Sequence, residues 1–175
     1  MAAAILEASA DLFAQRGPAA TSIRDIAIRA KVNHGLIHRH FGAKERLVGA
    51  VLDHLGSDLN ALVSDGASAE AIEAATDRHT RVMARALLDG YPVGQLQTRF
   101  PNIALLLEKV LPTYGADDRA GRLAVANAVA LQLGWRMFEP FLRSAVGLDE
   151  MTEDEMRAAV GVTAARILEP GLVSD

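Results

Sequence analysis

Between the Gly17-Pro18 pair and Gly42 lie two apolar helical periods, each only about two turns long. Ile23, Ile26, Ala27 and Ala30 line the first, and Val32, Ile37 and Phe41 line the second. Helices this short do not persist alone, because nucleation costs more than so few hydrogen bonds return. They need a third helix behind them. Ile5, Leu6, Ser9, Leu12 and Phe13 form one face of such a helix, which the Arg16-Gly17-Pro18 breaker ends.

The punctuation around these segments supports the same division. Thr21 or Ser22 offers an N-cap for the second helix, with Asp25 at the capping-box position three residues past Ser22. Asn33 suits the N-cap of a third helix over about His34 to His40. Lys44 opens a longer fourth helix bearing Leu47, Val48, Val51, Leu52 and Leu55. Ser68 caps a helix to Leu88, stopped by Asp89-Gly90 and Tyr91-Pro92; a short segment then runs to Phe100. Pro101 suits the first turn of a helix ending near Leu111-Pro112. One long helix is expected from Asp117 to Ala145, kinked at Pro140. The last begins at Thr152, with Glu155 at the capping-box position, and stops at Pro170-Gly171. No β-branched alternation supports a strand, so the fold class is all-α.

Composition limits the function classes. Of 175 residues, 50% are apolar, enough for a continuous core. Cysteine is absent, which removes disulfides, thiolate metal sites and cysteine nucleophiles and fits a reducing cytoplasm. The opening MAAAILEASADLF carries Glu7 and Asp11 and no basic leader, so no secretory signal is expected. The apolar stretch Leu123 to Trp135 falls short of the ~20 residues of a membrane span. The expectation is a soluble cytoplasmic protein with no membrane partner. Net charge is −4 but uneven: residues 1–50 hold seven Lys/Arg against four acids, and the remainder eleven against eighteen. A basic end on an acidic body suggests two jobs in one chain.

Three of the five histidines fall in VNHGLIHRHF. His34 and His38, four apart, could hold zinc, but no cysteine or acid nearby in sequence completes the site. A catalytic histidine needs a partner in a pocket. The other readings are a solvated polar face and a surface turned to DNA. Two short helices at an angle, backed by a third, form the helix-turn-helix arrangement, whose last helix lies in the major groove. Its outward side would be Asn33, His34, Gly35, Leu36, His38 and Arg39. These can meet phosphates and base edges, Leu36 can touch a thymine methyl, and Gly35 lets the backbone approach closely.

Residues 5–52, from ILEASADLF through TSIRDIAIRAKVNHGLIHRHFGAKERLVGAVL, resemble the DNA-binding domain of the TetR family of transcriptional regulators. That family's pattern joins an IL-x-A-A-x-x-LF helix, a T-S-x-x-D-IA helix and a V-S-x-G-x-LY-x-HF-x-SKE-x-L helix and exit. His38 stands here for the family's tyrosine, Asn33 for its capping serine and Ala43 for the serine before the lysine. The basic arm that many relatives carry ahead of helix one is not seen, so no minor-groove contact is assigned.

The resemblance implies that Ser22, Arg24, Asn33, His34, Gly35, Leu36, His38, Arg39, His40 and Lys44 face DNA. His38, His40 and Lys44 would hold phosphate; Arg24, His34, Leu36 and Arg39 would reach bases. It further implies a helix-turn-helix domain over residues 1–48 and an effector-binding and dimerisation domain over 49–175. The protein would then be a non-enzymatic, ligand-responsive homodimer, most simply a repressor released from a palindromic operator by a small molecule, with no cofactor. The alternative is an all-α small-molecule-binding or interaction protein that has lost DNA binding.

Candidate pocket residues are His79, Met83, Leu87, Leu96, Arg99, Phe100, Leu106, Leu107, Gln132, Trp135 and Phe138, with Arg136 as a further polar group. Their apolar character favours a hydrophobic or amphipathic effector. Ala126, Ala130 and Gly134 form a small-residue strip, and Met156, Ala159, Val160, Thr163 and Ile167 an apolar face; two such helices per subunit would pair about a two-fold axis.

Overall fold

The computed structural model describes residues 1–170, and over them the regular structure is helical throughout. The elements are α1 (Ala2–Arg16), α2 (Ile23–Ala30), α3 (His34–Phe41), α4 (Lys44–Ser64), α5 (Ala69–Leu88), α6 (Val93–Leu96), α7 (Pro101–Val110), α8 (Asp118–Val146) and α9 (Glu153–Ile167). A 3-10 turn, Leu111–Tyr114, follows α7. The chain divides into two compact units, Met1–Pro101 and a second that begins at Asn102.

In the first unit α1 packs against α2, α4 and α5. Ile5 and Phe13 of α1, Ile26 of α2, Ile37 of α3, Leu47, Val51 and Leu52 of α4 and Val82 of α5 fill one continuous core. Each such side chain contributes about 1.5–3 kcal/mol by leaving water. Ser9 is buried among them, and its hydroxyl donates to the Ile5 carbonyl at 2.7 Å, so no polar group is orphaned there. α4 runs unbroken through residue 48, where the DNA-reading part was expected to end. The reading helices and the first helices of the body therefore share a core.

Two contacts fix α6 and the approach to α7 against α4. At Gly49 the α4 backbone lies so close to Leu96 that a Cβ would meet its carbonyl oxygen. One turn on, the Asp53 carboxylate accepts from the Thr98 and Arg99 amides at 3.0–3.1 Å and from the Thr98 hydroxyl at 2.5 Å.

The second unit is built on α8 packed with α9. α8 is a single helix with Pro140 inside it. Thr152 caps α9 in a full capping box with Glu155. Amide and hydroxyl donation from Thr152 holds the Glu155 carboxyl below its usual range. The helix ends at Ile167, ahead of the expected stop at Pro170-Gly171; Gly171 lies outside the described residues.

Candidate nucleic-acid interface

The caps read in the sequence set the ends of both short helices. The Ser22 hydroxyl accepts from the Asp25 amide at 3.1 Å, and Asp25 returns the bond by accepting from the Ser22 amide at 2.9 Å. Those bonds, with Arg16 at 2.8 Å, hold the Asp25 carboxyl below its usual range. Asn33 begins α3 by accepting from the Gly35 amide at 2.8 Å. The turn between the helices closes through Lys31, at φ +55° the one non-glycine residue with positive φ among those described. Its amide bonds the Ile28 carbonyl, and the Val32 amide bonds that of Ala27. A lysine has no intrinsic preference for this conformation, and nothing in the sequence announces it.

Ile37 is the one buried residue of α3, with Leu36 and Phe41 half-buried. His34, Gly35, His38, Arg39 and His40 are exposed, as are Asn33 ahead of the helix and Ser22 and Arg24 beside it. Lys44, at the start of α4, is half-buried. The residues expected to face DNA therefore lie along α3, its cap and the adjoining ends of α2 and α4. A shallow groove between α2 and α3 is lined by Arg24, Ile28, Lys31, Asn33 and His34 among others. Ile28, 77% exposed within it, and Lys31 were not singled out from the sequence. Single exposed side chains leave no periodic signal, so only the fold reveals them. Exposed cations and imidazoles along one face of a short helix suit a phosphate backbone and the base edges between.

The pocket candidates distribute over the two units. In the first, Met83 and Leu96 pack against the core, while Leu87, Arg99 and Phe100 are exposed. His79 packs over Gly56 of α4, with its Cε1 3.6 Å from where a Cβ on that glycine would stand. Burial holds its imidazole below the usual histidine range, hence neutral, and its Nε2 has no hydrogen-bond partner. Asn60, one turn further along α4, likewise leaves Oδ1 buried and unpartnered; no sequence signal had marked it. In the second unit Leu106, Leu107, Trp135 and Arg136 are half-buried and Gln132 and Phe138 exposed.

Of the expected pairing face, Ala126, Ala130, Ala159 and Thr163 are exposed and Gly134, Val160 and Ile167 half-buried; Met156 is buried within the chain itself. Phe141, Val146 and Val162, also exposed on α8 and α9, were missed.

One cluster resembles a metal site: Glu7, His54 and Asp58 bring ligand atoms within 4.8 Å of one another. Its members already hold each other, with His54 Nε2 2.7 Å from Glu7 and 3.3 Å from Asp58, and Arg78 takes the second Glu7 oxygen at 2.8 Å. It is a hydrogen-bonded cluster tied to Arg78 by an ion pair.

A capped, outward-facing short helix backed by two others defines a DNA-binding protein of the helix-turn-helix class. Residues 5–51 match the family model for bacterial regulatory proteins of the tetR family. The chain is 67% identical over 170 residues to the HTH-type transcriptional repressor Rv3405c of Mycobacterium tuberculosis, covering 97% of this chain and 90% of that protein. It is equally similar, over the same shares, to the HTH-type transcriptional regulator Mb3439c of Mycobacterium bovis. A shorter match joins it to the HTH-type transcriptional repressor KstR2 of Rhodococcus jostii, 42% identical over 55 residues, 31% of this chain and 27% of that one. The chain belongs to the TetR family: it is a DNA-binding transcriptional regulator, not an enzyme. No helix among the described residues is long and apolar enough to cross a membrane.

Proposed function

We propose that this regulator is a cytoplasmic repressor that binds a palindromic operator as a homodimer and is released by a small apolar or amphipathic effector. The observation that carries the reading is the surface of α3, where Arg39 and three histidines are exposed around the buried Ile37. Residues 1–48 read the DNA, and residues 49–175 carry the effector and pairing functions. The repressor name of the M. tuberculosis relative supports the sign of regulation.

One short helix reads too few base pairs to be selective, so two copies on two half-sites are needed. The apolar surface of α8 and α9, with Phe138 53%, Phe141 69% and Val162 53% exposed, supports pairing there beside Ala126, Ala130 and Ala159. Neutral His79 and Asn60 support an uncharged effector group: Asn60 Oδ1 calls for a donor, and His79 Nε2 can give or accept. Such an effector acts only by favouring a subunit arrangement in which the two reading helices are wrongly spaced.

Selection from random duplexes tests the reading, using the wild type beside an Arg39→Ala, Lys44→Ala double variant. The wild type is expected to enrich a palindrome, and the variant to lose it together with about one unit of salt slope per lost phosphate contact. A wild-type dimer that enriches nothing would sink the proposal.

A further inference from the structure

Away from the DNA-facing surface, the first unit carries a chain of ion pairs and hydrogen bonds that crosses four helices. Arg29 of α2 holds Asp11 of α1 at 2.8 Å. The other Asp11 oxygen accepts from Arg78 of α5 at 2.8 Å, and the same guanidinium nitrogen reaches Glu7 of α1 at 2.8 Å. It also lies 3.4 Å from the Glu7 backbone carbonyl. The second Glu7 oxygen holds His54 of α4 at 2.7 Å, and His54 lies 3.3 Å from Asp58.

Arg78 is the centre of this chain. Glu7 and Asp11 stand four apart on α1, where like charges repel, and one cation from outside the reading helices lies between them and offsets that repulsion. Each carboxylate is divided between two partners, one oxygen to Arg78 and the other to a second helix. With its side chain only 31% exposed, Arg78 is less screened than an isolated surface pair would be. Burial alone would lower its affinity for a proton, yet the two carboxylates outweigh that and raise it. At Glu7 burial likewise works against ionisation and is outweighed by the bonds from Arg78 and His54.

We propose that Arg78 is a positioning residue for operator recognition. By holding Glu7 and Asp11 it sets the pose of α1, and through their second oxygens the poses of α2 and α4, the two helices joined directly to α3. Losing Arg78 frees both carboxylates to draw Arg29 and His54 into new geometries. Arg24 on α2 with its cap Ser22, and Lys44 on α4, then shift relative to α3, although no DNA-facing group has been removed. The proposal rests on the sequence-specific operator binding put forward above.

The readout is the ratio of operator affinity to affinity for an unrelated duplex of equal length, measured by anisotropy at fixed salt for the full chain. A residue that merely stabilises the fold lowers the active fraction, reducing both affinities by one factor and leaving the ratio unchanged. A positioning residue lowers the ratio, because non-specific binding needs charge and specific binding needs register. Arg78→Gln is expected to reduce the ratio roughly tenfold, the scale of coupling through such networks. Arg78→Lys, which keeps the charge but gives up the planar fork, is expected to fall between it and the wild type. A folded Arg78→Gln with the wild-type ratio would overturn the proposal. If that variant does not fold, an unchanged ratio in Arg78→Lys overturns it. A wild type that itself prefers no duplex would overturn the operator reading along with it.

Discussion

Gly49 and Gly56 sit seven residues apart on α4, and replacing each with alanine should move stability in opposite directions. In a helix interior, alanine is favoured over glycine by roughly 0.5–1 kcal/mol, and both variants gain that amount. What differs is the space. A Cβ on Gly56 would lie 3.6 Å from His79 Cε1 and 4.0 Å from Pro101 Cδ, ordinary contacts that need no adjustment. A Cβ on Gly49 would lie 2.8 Å from the carbonyl carbon of Leu96 and closer still to its oxygen. Those are backbone atoms, so relief requires α6 as a whole to retreat from α4. The retreat is opposed by the hydrogen bonds that tie Thr98 and Arg99 to Asp53. Overpacking of this kind costs about 1–3 kcal/mol. Gly56→Ala should therefore gain up to about 1 kcal/mol from helix propensity. Gly49→Ala should lie about 1–3 kcal/mol below it, the overpacking term alone. Urea denaturation followed by circular dichroism, with both variants at one protein concentration, measures the difference. A Gly49→Ala protein as stable as Gly56→Ala would show that α6 is not held against α4 as described.

Two further outcomes follow from the same geometry. Lys31→Gly should relieve the left-handed backbone and stabilise the protein by about 1 kcal/mol. It should also weaken binding to all duplexes alike and lower the salt slope by about 0.9, since a cation leaves the groove beside His34; a loss of stability would refute the account of the turn. His79 is held neutral by burial, so its folded pKa lies below its unfolded value of about 6.5. The unfolded chain takes up the proton first, so the stability that neutral His79 allows is present above that pH and is lost as pH falls through the folded pKa. His79→Phe should thus show a shallower fall in stability between pH 7.5 and 5.5, and parallel wild-type and variant profiles would count against the burial argument.

Where a structural feature depends on neighbours in the chain, the residues announce it. Ser22 with Asp25, Thr152 with Glu155, Asn33 and Ser68 are all caps whose chemistry acts within three residues, and each occupies its expected place. The outward set on α3 follows from the same locality, because period and cap together decide which side chains cannot be buried. The end of α9 shows a limit even there, since a Pro-Gly pair marks where a helix cannot continue and not where it stops. Lys31 shows another: it takes the left-handed C-cap of α2, closed by the amides of Lys31 and Val32 on the Ile28 and Ala27 carbonyls, a place more often filled by glycine.

Features built from distant residues leave no such trace. Glu7 and Arg78 are separated by 71 positions, and neither is distinguishable in sequence from a solvated charge on an amphipathic helix. Asn60 becomes notable, and His79 is shown to lack a partner, only when α4 and α5 are laid together. Met156 reads as part of an exposed apolar face by its spacing, yet lies buried within its own chain, because spacing identifies a face without saying what covers it. The fourth helix is legible past residue 48 from its apolar period, but the core it shares with α1, α2, α3 and α5 is not. Family resemblance implies which residues would meet DNA, whereas a shared core depends on what packs behind them. In this protein α1 packs against α2, α4 and α5 alike, and it is through those contacts that the proposed role of Arg78 would carry a change on α5 to the reading helices. Under that proposal, the charges on α1 would set how well the exposed set on α3 meets its operator, without themselves touching it.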